Sequence, residues 1–172
     1  MCRGRYSKPD AHGRLFDRAV HDASPSLSHQ QDTSRKPIVR SHLRVGWIGL
    51  LLFAALGAAL EALHAWKSFE YLGVGNETRR LMWTLAHAHG VGLSLIQLGF
   101  AGTVALAPDL PIGSVRAASR LLHGALALMP AGFLLGGVVT YGGDPGLGVL
   151  LVPLGALLLM AACSGPPSRR IS

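Results

Sequence analysis

Seven polar side chains sit inside the hydrophobic stretches of this chain: Glu61 and His64, then His87, His89 and Gln97, then Arg120 and His123. Such groups are costly in an apolar medium unless they are paired, so each one needs a chemical or structural reason. Glu61 and His64 stand at i and i+3 and project from one helix face, which Gly57 continues. Carboxylate-bridged di-metal bundles present ligands this way, but they need two such pairs and two further glutamates, and this chain has one pair. His87 and His89 are two residues apart, about 200° round a helix axis, so they address different neighbours. With His87 at the edge of an Ala86, Gly90, Ser94 row, the expectation is that it faces the first helix, where Glu61 would orient or protonate it. His89 would then face another helix or a cofactor.

The elements that must position these groups follow from composition. Hydrophobic residues make up 49% of the 172-residue chain and charged residues 15%, with a mean hydropathy of +0.36. Almost all of that hydrophobicity lies after Arg44, in four runs. A bilayer core about 30 Å thick needs roughly 20 helical residues, and four stretches suffice: Val45 to Trp66, Leu81 to Ala107, about Ala117 to Thr140, and Gly146 to Cys163. The first is too long and too far from the N-terminus for a cleaved signal peptide and reads as an uncleaved anchor. The fourth carries Pro153 and Gly155, and Pro130 interrupts the third. Short connections, PDLPIGS and Tyr141 to Gly146, make successive helices antiparallel. The expected fold is all-α: a four-helix transmembrane bundle running up-down-up-down, with helix-packing rows of small residues such as Gly46, Gly49 and Gly57.

Charge gives the direction. Residues 1 to 44 hold nine Lys and Arg; Arg116, Arg120, Arg169 and Arg170 share their side, and Lys67, Arg79 and Arg80 lie opposite, a split of 13 to 3. Cytoplasmic loops retain cations, so both termini are expected in the cytoplasm of a cell with a plasma (inner) membrane of bacterial type. Trp47 is expected at the inner boundary, with Trp66, Trp83, Tyr71 and Tyr141 at the outer one.

Depth then divides the polar residues. Glu61 and His64 lie about 7 and 3 Å below the outer end of the first helix, and His87 and His89 about 9 and 12 Å into the second. Those four form an outer group, with Glu61, His64 and His87 as candidate metal ligands. Gln97, Arg120 and His123 form an inner group. The two groups together would suit the entry and exit of a proton or metal-ion relay, which four helices would support only as an oligomer.

Residues 1 to 44 mix Ser, Asp, His, Pro and Arg without apolar period and are expected to be a disordered basic cytoplasmic tail, followed by the transmembrane domain 45–163 and a short tail 164–172. Arg35, Lys36, Arg40 and Arg44 would touch anionic headgroups. The pI near 10.3 has a topogenic explanation, so no nucleic-acid partner is expected. Cys2 and Cys163 stand at opposite ends and make no disulfide or metal motif. Asn76 suits either a glycosylation acceptor or, preferably, a helix cap accepting an orphan amide. No Walker loop, nucleophile elbow, His-Glu-x-x-His or dinucleotide fingerprint occurs.

The string WTLAHAHGVGLSLIQLG resembles a helix of haem-copper oxidase catalytic subunits and of small related membrane proteins, in which His-x-His is followed by apolar residues. The resemblance covers one helix in four and implies His87 and His89 as axial haem ligands pointing opposite ways; the family's copper-site histidines have no counterpart here. Three readings follow: a structural or accessory membrane subunit, within a homo-oligomer or a larger membrane complex, with an intramembrane His/Glu cluster and no catalytic residue; a haem- or metal-binding protein; and an ion relay.

Overall fold

The computed structural model describes the backbone of residues 11–164 and the side chains of residues 33–164. It is an all-α four-helix bundle. The helices are α1 (Ala11–Ala65), the single turn α2 (Phe69–Leu72), α3 (Glu77–Leu106), α4 (Ile112–Val138) and α5 (Leu151–Ser164), the last entered through a 3₁₀ turn, Leu147–Leu150. Four of them contain segments long and apolar enough to cross a membrane: 33–65, 77–106, 112–138 and 147–164. The chain is a multi-pass membrane protein, since only fully paired backbone is tolerated in hydrocarbon.

α3 is the centre. Its inward row, Met82, Ala86, Gly90, Leu93, Ser94 and Gln97, is buried, and it packs α1 on one side and α4 on the other, with α5 on the far flank of α4. Each long helix is antiparallel to the next. Gly57 meets His87 while Gly46 meets Leu98, and Gly124 meets Leu158 while Gly132 meets Val152. α1 and α4 touch only lightly, so the bundle is open on that side, where a cavity of about 400 Å³ is walled by Phe53, Leu56, Ala86, Leu126 and Pro130. Two apolar clusters stitch the row together: Met82, Ala86 and Phe133 near one end, Leu93, Ala125 and Met129 further along.

Several boundaries differ from the sequence expectation. Residues 33–44, expected in a disordered tail, are helical and packed, with Arg35 and His42 buried. The reason is that the α1 row Gly46, Gly49 and Phe53 continues backward by four to His42, and α3 and α4 supply a surface for it. Residues 11–32 of the expected tail are helical as well, as part of α1, while residues 1–10 and 165–172 lie outside the described residues. From Thr33 to Ala65, 33 residues, α1 rises about 50 Å at 1.5 Å per residue, so its first turns extend past a core of about 30 Å. α4 begins at Ile112, before Ala117. Tyr71, expected in an aromatic belt, is buried, whereas Trp47, Trp66 and Tyr141 are exposed.

The turns are closed by specific chemistry. Thr140–Tyr141 and Asp144–Pro145 form a minimal antiparallel ladder about Gly142 and Gly143, whose φ values of 58° and 98° are those of the type I′ hairpin that glycine permits. Asn76 occupies the N-cap position of α3 but makes no side-chain cap bond. Its amide donates to the Phe69 carbonyl instead, and its oxygen accepts from Arg79 at 3.2 Å. Arg79 also donates to the Gly137 carbonyl at 3.1 Å, fastening the start of α3 to the end of α4. Pro153 falls in the first turn of α5, where a missing N–H is harmless.

Candidate functional site

The polar residues at depth resolve into one assembled cluster and several separate side chains. The cluster lies where α1, α3 and α4 meet. His42 from α1 is fully buried, and its Nε2 is 2.8 Å from Ser119 Oγ of α4. Its ring leans on Phe100 of α3 at 4.6 Å and meets His123 of α4 edge-on at 4.3 Å. His123 Nδ1 lies 2.7 Å from the Ser119 carbonyl; a carbonyl only accepts, so that nitrogen carries the hydrogen and Nε2 is the bare acceptor. Ser41 Oγ lies 3.5 Å from that Nε2. Gln97 of α3, 1% exposed, donates from Nε2 to the Leu122 carbonyl at 2.9 Å, a second tie between α3 and α4.

Two buried polar atoms of this cluster have no hydrogen-bond partner: His42 Nδ1 and Gln97 Oε1. With the Ser119 hydroxyl donating to His42 Nε2, Nδ1 of the neutral ring is an N–H donor, and the Gln97 amide oxygen is an acceptor. The cluster is surrounded at its own level by exposed Arg40 and Arg44 on α1 and exposed Arg116 and Arg120 on α4. Guanidinium groups on a membrane protein reach for headgroups and water, and the cluster that this collar surrounds has His42 and Gln97 buried within the protein.

Of the inner group expected from sequence, Gln97 and His123 are brought together, around a histidine that was assigned to the tail. Arg120 is exposed and joins the collar instead. The signal that would have found His42 is the helical row Gly46, Gly49, Phe53, Gly57, whose next member toward the N-terminus is residue 42.

The outer group is not assembled. Glu61 and His64 are both exposed, because the inward face of α1 at that height is carried by Leu56, Gly57 and Leu60, and residue 61 is rotated about 100° from Leu60. His87 faces α1 as expected, but its partner is backbone: Nδ1–H donates to the Phe53 carbonyl at 2.7 Å. That carbonyl is reachable because the residue one turn on is Gly57, where a Cβ would run into the His87 ring. His89 points the other way, with Nδ1–H on the Leu85 carbonyl of its own helix at 2.9 Å and its ring over Phe133 at 4.7 Å. It borders a cleft of about 290 Å³ with Gly92, Leu93, Ile96, Met129 and Leu159. Among the described residues no group of three or more His, Cys, Asp or Glu is placed to hold a metal ion.

These positions test the haem ligands implied by resemblance. His89 fits half of the requirement: its outer ring nitrogen is held by a backbone carbonyl, as ligating histidines commonly are, and its other edge adjoins an apolar cleft. His87 does not fit, because its ring is wedged against the α1 backbone at Gly57 and leaves no space for a macrocycle there. Comparison of the chain with known protein families, with characterised proteins and with solved structures returned no match.

Proposed function

We propose that this protein is a non-catalytic accessory subunit of a plasma-membrane assembly of bacterial type, with both termini in the cytoplasm and with His42 and His87 serving to join helices. One observation carries the reading: His42 and His87 each commit a ring nitrogen to a hydrogen bond with another helix, and His89 and His123 each bond a carbonyl of their own helix, while Glu61 stands apart from them. The flanks of the row support it further. Only 17% of the apolar window of α1 and 6% of that leading into α5 are buried, against 44% for α4, so the outer helices have broad faces for lipid or for neighbouring subunits.

The test is spectroscopic and thermodynamic. The purified protein in mild detergent should show no Soret band and no stoichiometric metal, and His87→Ala should lower unfolding stability by about 1–2 kcal/mol through loss of an interhelical bond. A Soret band, or one metal ion per chain, defeats this reading.

A second reading, haem binding, has its own observation in the geometry of His89 and its cleft. A bound haem would supply one-electron redox chemistry; the chain's part would be an axial imidazole from His89, fixed by the Leu85 carbonyl, in an apolar pocket. On that reading an absorption band disappears in His89→Ala and survives in His87→Ala.

A further inference from the structure

We infer that the cleft between residues 35–43 of α1 and the C-terminal end of α3 is a binding site for an anionic phospholipid. The cleft has a volume of about 380 Å³. Along α1 its lining alternates Lys36 and Arg40 with Val39 and Leu43, and Val104 and Ala105 of α3 complete the apolar wall. Below Leu43 the same side of α1 continues toward the membrane with Trp47, 64% exposed. A phosphate diester with its glyceride chain carries the same two chemistries side by side, an anionic headgroup for the cations and hydrocarbon for the apolar wall.

The cleft is built rather than incidental. Arg35, buried at its back, donates from Nη1 to the Ala107 carbonyl at 3.0 Å and from Nη2 to the Leu110 carbonyl. Ala107 is the C-cap of α3 and Leu110 lies in the turn that follows it. The guanidinium therefore locks the α3–α4 turn against α1. Arg40 is exposed and also lines a second hollow, of about 320 Å³, with Ser41, Arg44 and Val45, so it stands between two clefts. Asp109 is the one acid in the α3–α4 turn and is exposed, outside the wall. Cations at the collar level meeting an apolar groove select a lipid that carries net negative charge over a zwitterionic one.

The inference rests on the membrane reading of the four helices, and one experiment separates the two. The full-length protein is placed in nanodiscs of mixed phosphatidylglycerol and phosphatidylcholine and released into the gas phase, and the lipids retained per chain are counted. Phosphatidylglycerol should be retained preferentially. Arg40→Gln should weaken that preference about fivefold, the effect of one cation near an anionic headgroup. Ala105→Trp, which fills the groove without changing charge, should weaken it comparably, and Arg116→Gln, which removes a collar charge away from the cleft, should change it less than twofold. Inorganic phosphate at millimolar concentration should not compete. Equal losses in Arg40→Gln and Arg116→Gln, no effect of Ala105→Trp, displacement by phosphate, or no preference for phosphatidylglycerol each overturn the lipid site alone. Failure of the chain to enter nanodiscs overturns the membrane reading and the site with it.

Discussion

The bond between His42 and Ser119 is the contact on which the meeting of α1 and α4 most depends at the residue scale, because those helices touch lightly elsewhere. Hydrogen bonds between transmembrane helices contribute about 0.6 kcal/mol on average and up to about 1.7. A double-mutant cycle of His42→Phe and Ser119→Ala, measured by unfolding in detergent, should therefore return a coupling in that range, toward its upper end since His42 is fully buried. A coupling indistinguishable from zero means the two side chains are merely adjacent. Gln97 bears on the same cluster differently: Gln97→Leu removes the tie to the Leu122 carbonyl but also removes a buried oxygen that has no partner. Its net effect should be smaller than that of either bond-breaking change. The inner cluster was half legible in the sequence. Gln97 and His123 stood out as polar residues in apolar runs, whereas His42 lay among Arg40, Ser41 and Arg44 and looked like part of a hydrophilic tail. Polarity averaged along the chain hides a residue whose neighbours face water while it alone faces protein.

At the scale of elements, close approach between α1 and α3 is set by glycines opposed to large side chains. A Cβ at Gly90 would enter the Phe53 ring, one at Gly57 the His87 ring, and one at Gly49 would collide with Ser94 Oγ, whereas Gly92 and Gly99 on the outer face of α3 have nothing within 4 Å. Gly90→Val should thus destabilise by about 1–3 kcal/mol through overpacking, and Gly99→Val should be close to neutral or slightly stabilising because it restricts the unfolded chain. Thermal unfolding of the two variants in the same detergent decides the matter, and equal effects would mean that α1 does not pack on the Gly90 face. Helix existence and antiparallel order were legible because apolar length and short turns dictate both. The relative rotation of the helices was not. Glu61 shares a face with Gly57 in projection, yet the contact surface has turned toward Leu60 at that height, and a one-residue difference in which side faces inward separates a paired carboxylate from one left outside.

For the molecule as a whole, the distribution of cations carries the orientation argument further than a count of loops. Arg40, Arg44, Arg116 and Arg120 come from two helices far apart in sequence, yet all are exposed around the same buried cluster, so one rim of the bundle is strongly basic. At the opposite end Arg79 is tied to the Gly137 carbonyl and lies over the Trp83 ring, 5.8 Å from its centroid, which leaves Lys67 and Arg80 as the cations with an orienting role there. A basic rim is retained on the cytoplasmic side during insertion. Reporter enzymes that work only in the cytoplasm should therefore be active when fused after Ser172 and inactive when inserted at Gly143, in the hairpin between α4 and α5. Replacing the four collar arginines by glutamine while adding two lysines beside Gly143 should weaken that pattern, because the bias would then rest on the remaining cations of the N-terminal segment with Arg169 and Arg170. Activity at Gly143 in the unaltered chain would place the basic rim outside, and the collar would then need a reason other than topology.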